Sequence, residues 1–343
     1  MTTTTTASKK KTKSAGTASR TIVVTGTSGF KGSRIIKALE ADPRYSSIVA
    51  IDAHKPPSDI KKTKFYKLDL TETLADVKLA EILKTERCDT LVHCAFPITP
   101  PKNPSFAHEL ISIGTLYVMT ACAEARVRKV ILASTSDVYG AFPTNPNFLQ
   151  EKVHPPKGDR QSQFLADKID AEKQALKFGA KYPDRVVTIL RSCTILGPTI
   201  QSYKTNYLRR PFVTTIMGFD PLVQFIHEDD LIRAFMLAIE KDSHGVFNIA
   251  GDGVLPLSRV IKICGKMNLR LPQMGFKTMV QLLWLADISP APASHVDFLR
   301  YLCVADGARA KKELGFVPQF STKEALLSFV GAERLREVRL IEA

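Results

Sequence analysis

The chain has 343 residues, 44% of them apolar and 24% charged, and carries a formal net charge of +14. Those are the proportions of a soluble globular protein, with enough chain for one large α/β domain or two smaller ones. The six cysteines, at 88, 94, 122, 193, 264 and 303, form no CxxC pair, so they read as reduced thiols of a cytoplasmic protein and give no zinc-site spacing; no apolar stretch reaches the uninterrupted length that spans a bilayer.

Residues 1–20 are Thr-, Ser- and Lys-rich and without periodicity, which predicts a disordered basic tail rather than a secretory signal. The tail holds five basic and no acidic residues, leaving +9 for the remainder. That surplus suits anionic surroundings such as nucleic acid, phospholipid headgroups or phosphorylated substrates; it also describes an ordinary solvated basic surface.

Thr21-Ile22-Val23-Val24 then predicts a strand, followed by Thr25-Gly26-Thr27-Ser28-Gly29-Phe30-Lys31-Gly32 and a helical run from Ser33 to Glu40. A strand, a glycine turn and a helix in that order predict a dinucleotide-binding unit. Gly26 permits the turn, Gly29 lets backbone N–H groups approach a pyrophosphate, and Gly32 lets the helix pack closely. The helix N-terminus, with Ser28, Phe30 and Lys31 around it, then receives the anion. A second strand, Ile48-Val49-Ala50-Ile51, ends in Asp52. A carboxylate there accepts ribose hydroxyls and repels a 2′-phosphate, so the cofactor reads as NAD rather than NADP.

Strands follow at 64–68, 89–95, 129–133 and 185–190, alternating with helices at 74–84, about 105–126 and about 161–180. This alternation predicts an α/β fold, a Rossmann-type doubly wound parallel sheet over residues 21–190. Residues 191–330 read as a mixed substrate lobe with returning Rossmann elements, and 331–343 as a C-terminal helix or tail.

With these elements placed, the chain resembles the extended (atypical) short-chain dehydrogenase/reductases, the NAD-dependent epimerase/dehydratase family. The resemblance rests on ordered matches: the TGTSGFKG turn, Asp69-Leu70, Ser134-Thr135-Ser136-Asp137-Val138-Tyr139-Gly140, Leu196-Gly197-Pro198, Phe225 to Leu231, Phe247 to Gly251 and Lys312 to Pro318. It implies that Asp69 and Leu70 hold the adenine, that Ala95 and Phe96 line the middle of the cleft, and that Lys168 binds the nicotinamide ribose. It also implies a catalytic Thr135 and a homodimer through the two long helices.

The family's acid/base residue is a Tyr four residues before that Lys, whose ammonium lowers the phenol's pKa. Here Phe164 stands in its place, and Ile111 replaces an Asn of the family's proton relay. Tyr139 and His154 are the candidates to supply the proton instead, or else the substrate carries its own acid/base group. Thr194 and Val223 replace the Asn and Arg with which nucleotide-sugar enzymes hold a diphosphate. The run from Met274 to Ala286 predicts an apolar helix, either a lid or a core helix. His227 with Glu228, Asp229 and Asp230 reads as a capped helix start, and no metal site is expected.

The reading from sequence is therefore an NAD(H)-binding oxidoreductase or epimerase for a bulky, apolar, lipid- or sterol-like hydroxyl or keto substrate, with non-standard acid/base chemistry and a peripheral membrane or protein partner. A catalytically inactive NAD(H) sensor or scaffold is the alternative. A nucleotide-sugar epimerase and a nucleic-acid partner are expected less.

Overall fold

The computed structural model describes residues 20–57, 60–158, 162–289 and 291–342. The expected disordered tail lies outside them except for Arg20. The first half alternates β1 (Thr21–Thr25), α1 (Phe30–Ala41), β2 (Ile48–Asp52), β3 (Thr63–Lys67), α2 (Ala75–Thr85) and β4 (Cys88–His93). Then come α3 (Pro104–His108), a π-helical turn at Glu109–Ile113, α4 (Gly114–Glu124), β5 (Lys129–Thr135), α5 (Gln163–Lys181) and β6 (Val186–Ser192).

Helices cover both faces of this sheet, so its inner strands read as continuous apolar or small-residue runs instead of alternating ones. All five residues of β1 and all seven of β6 are buried. On one face, Ile35, Ile36 and Leu39 of α1 pack with the strands in one core. On the other, Leu79 and Leu83 of α2 and Val118 and Cys122 of α4 form a second.

After β6 the chain becomes irregular: β7 (Thr194–Leu196), α6 (Tyr203–Arg209), β8 (Phe212–Ile216), β9 (Leu222–Val223), β10 (Phe225–His227) and α7 (Glu228–Glu240). β11 (Gly245–Ile249) returns to the large sheet, which is seven-stranded, parallel, and ordered β11-β6-β5-β4-β1-β2-β3. β12 (Leu255–Pro256), α8 (Leu257–Ile263), β13 (Met267–Leu271) and α9 (Phe276–Leu285) complete a small lobe with its own short two-stranded sheets. α10 (Thr322–Glu342) closes the chain and runs unbroken across residue 331.

The expected doubly wound sheet is present. One expectation needs correction: the helical run Pro104–Glu124 is, by length and composition, apolar enough to cross a bilayer, with half its most apolar window buried. The apolar face of this run packs against α2 and α5 in the second core, which accounts for its composition.

Strand order reverses between β2-β1 and β4-β5, and a crevice opens there at the strands' carboxyl ends. Ligands of such sheets bind in that crevice.

Candidate cofactor cleft and active site

Gly26 has φ +75°, and a Cβ added to it would lie 2.5 Å from the backbone of Ala95, at the end of β4. A side chain at Gly32 would run into the carbonyl of Gly26. The turn is thus closed against the neighbouring strand with no room for side chains at these two positions. Gly29 caps α1, whose first turn has neither a side-chain cap nor an acidic residue. Its free N–H groups and positive dipole end are therefore available to an anion.

Asp52 ends β2 as expected. Its Oδ2 accepts 2.9 Å from the Ser28 N–H and its Oδ1 3.1 Å from the His54 N–H, which ties the carboxylate to the glycine turn. Each oxygen keeps lone-pair capacity for a ribose hydroxyl. Asp69 accepts from the N–H and hydroxyl of Thr71, and Leu70 is buried beneath Gly114. The residues present fit NAD: a cradle that a Cβ would fill, an uncapped helix start, and a carboxylate at the second strand.

At the inner end of the cleft, Lys31, Phe96, Thr135, Phe164 and Lys168 line one cavity of about 60 Å³. Thr135 ends β5, and its Oγ1 accepts from the Asp137 N–H. The Lys168 ammonium lies 4.7 Å from the ring centre of Phe164 and 5.2 Å from that of Phe96. Burial and the charge of Lys31 lower its pKa to about 7. Ile111 and Phe164, two positions at which the sequence departs from the family, belong to a single apolar cluster with Ala107, Ala171 and Phe96. The losses of the phenol and of the amide are therefore one local change of polarity.

Neither expected substitute for the phenol stands. Tyr139 is buried with its hydroxyl donating 2.9 Å to Asn248 Oδ1 and the Arg191 guanidinium over its ring. His154 folds back on its own turn, where its Nδ1 accepts from the Gln150 N–H. α7 is a capped helix start, but the cap is His227, whose Nδ1 accepts from the Asp229 N–H at 3.2 Å; the acids tie neighbouring segments instead, Asp230 taking the Gln319 and Phe320 N–H groups and Glu228 those of Thr199 and Ile200. Among the described residues no cluster of metal-ligating side chains occurs.

What the sequence did not reveal is a polar knot at the junction of the cleft and a second, larger cavity of about 240 Å³. Lys204, on α6, donates to both oxygens of Asp137 at 2.8 and 2.7 Å, and to Thr194 Oγ1 at 3.0 Å. Burial raises the Asp137 pKa, but Lys204 outweighs it and holds the carboxyl below its ordinary value. His295 stands beside this pair, its ring edge-on to Tyr203 at 5.1 Å and its buried Nε2 without a partner among the described residues. Burial lowers the His295 pKa to about 4, so the ring is neutral near pH 7.

α9 covers the larger cavity with Phe276, Met279, Val280 and Leu283, while Leu282 and Leu285 stay exposed. It is thus a cover with one face outward, and not the buried core helix that was the alternative. Lys102, on the loop after β4, holds the end of α9: it ion-pairs with Asp287 at 2.6 Å and lies 4.2 Å over the Trp284 ring.

The comparisons with known proteins agree with this cleft. The model of the NAD dependent epimerase/dehydratase family matches residues 22–250. An uncharacterized protein of Mycobacterium tuberculosis is 31% identical over 313 residues, covering 89% of this chain and 82% of its own. The UDP-glucuronate 4-epimerase of Thermodesulfobacterium geofontis is 25% identical over 335 residues, covering 89% and 93%. Among solved structures, MoeE5 in complex with UDP-glucuronic acid and NAD superposes with a TM-score of 0.72 at 24% identity, covering 92% of this chain and 99% of that one.

These findings correct the expected substrate. The relatives with a named substrate handle polar UDP- and dTDP-linked sugars, so the lipid- or sterol-like compound does not stand. The membrane contact of α9 was inferred from that compound and falls with it. The expected homodimer and protein partner find no support in these relatives. The matched family is NAD dependent, in keeping with the glycine cradle and Asp52. With the glycine turn, the parallel sheet and the matched 22–250 region in agreement, the chain belongs to the NAD-dependent epimerase/dehydratase family.

Proposed function

We propose that the protein is an NAD-dependent enzyme acting on a nucleotide-linked sugar, in which a carboxylate paired with an ammonium takes the place of the absent phenol. The observation that carries this reading is that Asp137 and Lys204 line both the cofactor cleft and the larger cavity. NAD, held by the glycine turn, Asp52 and Lys168, would supply the hydride acceptor for a sugar carbinol at the inner end of the cleft. Thr135 and Lys168 hold the carbinol oxygen and the ribose, and Asp137 receives the hydroxyl proton. Its lowered pKa makes it a weaker base than a phenolate, and the cost is rate, not chemistry.

The larger cavity has what a nucleoside diphosphate requires. Arg210 supplies a cation at its wall, and Tyr207, Phe298 and Tyr301 supply ring faces. Arg210 thus serves in place of the clamp lost at Val223. The named relatives support the substrate class through UDP-glucuronate and UDP-glucuronic acid.

The test is thermal stabilisation of the NAD-loaded protein by UDP, UDP-glucose, UDP-glucuronate and dTDP-glucose, followed by nicotinamide absorbance with each. The expected result is that one sugar nucleotide stabilises more than its parent nucleotide and reduces the bound cofactor, and that Asp137→Asn abolishes the reduction. No stabilisation by any of the four would overturn the reading.

A further inference from the structure

Lys31 is the second residue of α1, in the turn that receives the pyrophosphate. Its stem is partly exposed, but its ammonium reaches across the sheet to β5 and donates to the Ser134 carbonyl at 3.4 Å. There it shares the 60 Å³ cavity with Lys168, whose own hydrogen bond is a long one, 3.5 Å to the Pro97 carbonyl.

Two ammonium groups thus meet in one desolvated cleft, each hydrogen-bonded among the described residues to a backbone carbonyl. The nearby carboxylates attract them only from a distance, their hydrogen bonds going to other groups: Asp137 to Lys204, and Glu172 to Arg191 and Ser134. Burial lowers the Lys31 pKa, and burial followed by the Lys31 charge lowers that of Lys168. Buried charge without a directly paired counter-charge is costly, so the site favours whatever adds no further positive charge.

The strand order says what comes there. Asp52 at β2 marks the adenosine side of the crevice, and the dinucleotide crosses the switch point between β1 and β4. Its nicotinamide half therefore lies over β4 and β5, at Lys31, Thr135 and Lys168. An oxidised nicotinamide ring carries a positive charge; after gaining a hydride, two electrons and a proton, it is neutral. The pyrophosphate and the adenosine are the same in both forms.

We infer that Lys31 makes the cofactor site discriminate between redox states, binding NADH more tightly than NAD. By linkage, tighter binding of the reduced form raises the reduction potential of the bound couple and favours hydride uptake from the substrate. This inference does not depend on the substrate class proposed above. Opposition of one extra charge at the partly screened end of a cleft corresponds to a discrimination on the order of tenfold or more.

The experiment is to strip the purified full chain of cofactor and measure the dissociation constants of NADH, NAD and ADP-ribose for the wild type, Lys31→Met and Lys31→Arg. The expected result is at least about tenfold tighter NADH than NAD in the wild type, retained in Lys31→Arg and brought close to parity in Lys31→Met, with ADP-ribose affinity changed by a smaller factor than the NADH-to-NAD ratio. Parity in the wild type would overturn the inference. So would a Lys31→Met protein that keeps the discrimination, or one that loses ADP-ribose in the same proportion, since Lys31 would then be a phosphate ligand. Lys31→Arg guards against misfolding: if it binds ADP-ribose but has lost the discrimination, charge at this position is not the cause.

Discussion

The ammonium of Lys168 lies 4.7 Å from the ring centre of Phe164, one helical turn before it on α5. The ring face attracts the cation that would otherwise lower a phenol's pKa, so the geometry of the acid/base pair survives without its oxygen. Phe164→Tyr should therefore give a coupled pair, in which the phenolate raises the Lys168 pKa again and the ammonium holds the phenol below its ordinary value of about 10. Ultraviolet difference titration reads this directly. An introduced phenol that titrates at or above that value would show that Lys168 does not reach it. Where a sugar nucleotide reduces the bound cofactor, the same variant should speed the reaction by about 10²-fold or more.

Lys168 also makes stability depend on pH. In the folded protein without cofactor it is charged only below about pH 7, whereas its ordinary pKa is 10.5. Between those values the unfolded chain binds more protons than the folded one, so this residue's contribution rises with pH, at up to about 1.4 kcal/mol per pH unit. Denaturant midpoints from pH 6 to about pH 9 should rise less steeply in Lys168→Met than in the wild type. Lys168→Met should also be the more stable protein at pH 6. Parallel curves would place the Lys168 ammonium in water.

Asp52, at the end of β2, places a carboxylate where a 2′-phosphate would be repelled. Asp52→Ala should shift the ratio of NADP to NAD affinity upward by about tenfold or more. It should also loosen the glycine turn, because the Ser28 N–H loses its acceptor. An unchanged ratio, measured by isothermal titration, would remove Asp52 from the ribose site.

Asp137 and Lys204 are 13% and 24% exposed at their side chains, so removing one partner strands a mostly buried charge. Lys204→Met should destabilise the fold by about 2–3 kcal/mol, and adding Asp137→Asn should restore part of the loss. Equal midpoints for the single and double variants would mean that the pair is solvated.

The pattern of residues reveals the fold because its strands are buried on both faces and its turns carry their own chemistry. β1 and the glycine turn are local features, legible wherever they occur. Ile111 and Phe164 were each visible as departures, but their meeting in one apolar cluster depends on how α5 packs against the π-helical turn at 109–113, which no local pattern signals. The Asp137–Lys204 pair spans 67 positions in the chain and exists because the small lobe folds α6 back over β5. α9 was ambiguous for a physical reason: apolar residues on most of its circumference fit both burial and the covering of a cavity, and only its neighbours decide.

Trp284 is the chain's single tryptophan. It sits on α9 beneath the Lys102 ammonium, on the loop that continues from the cleft residues Phe96 and Pro97. The whole indole emission of this protein therefore originates at the clasp between cofactor loop and cavity cover. Loading the cleft, or lifting the cover, can be watched as a change in colour or brightness without attaching any dye.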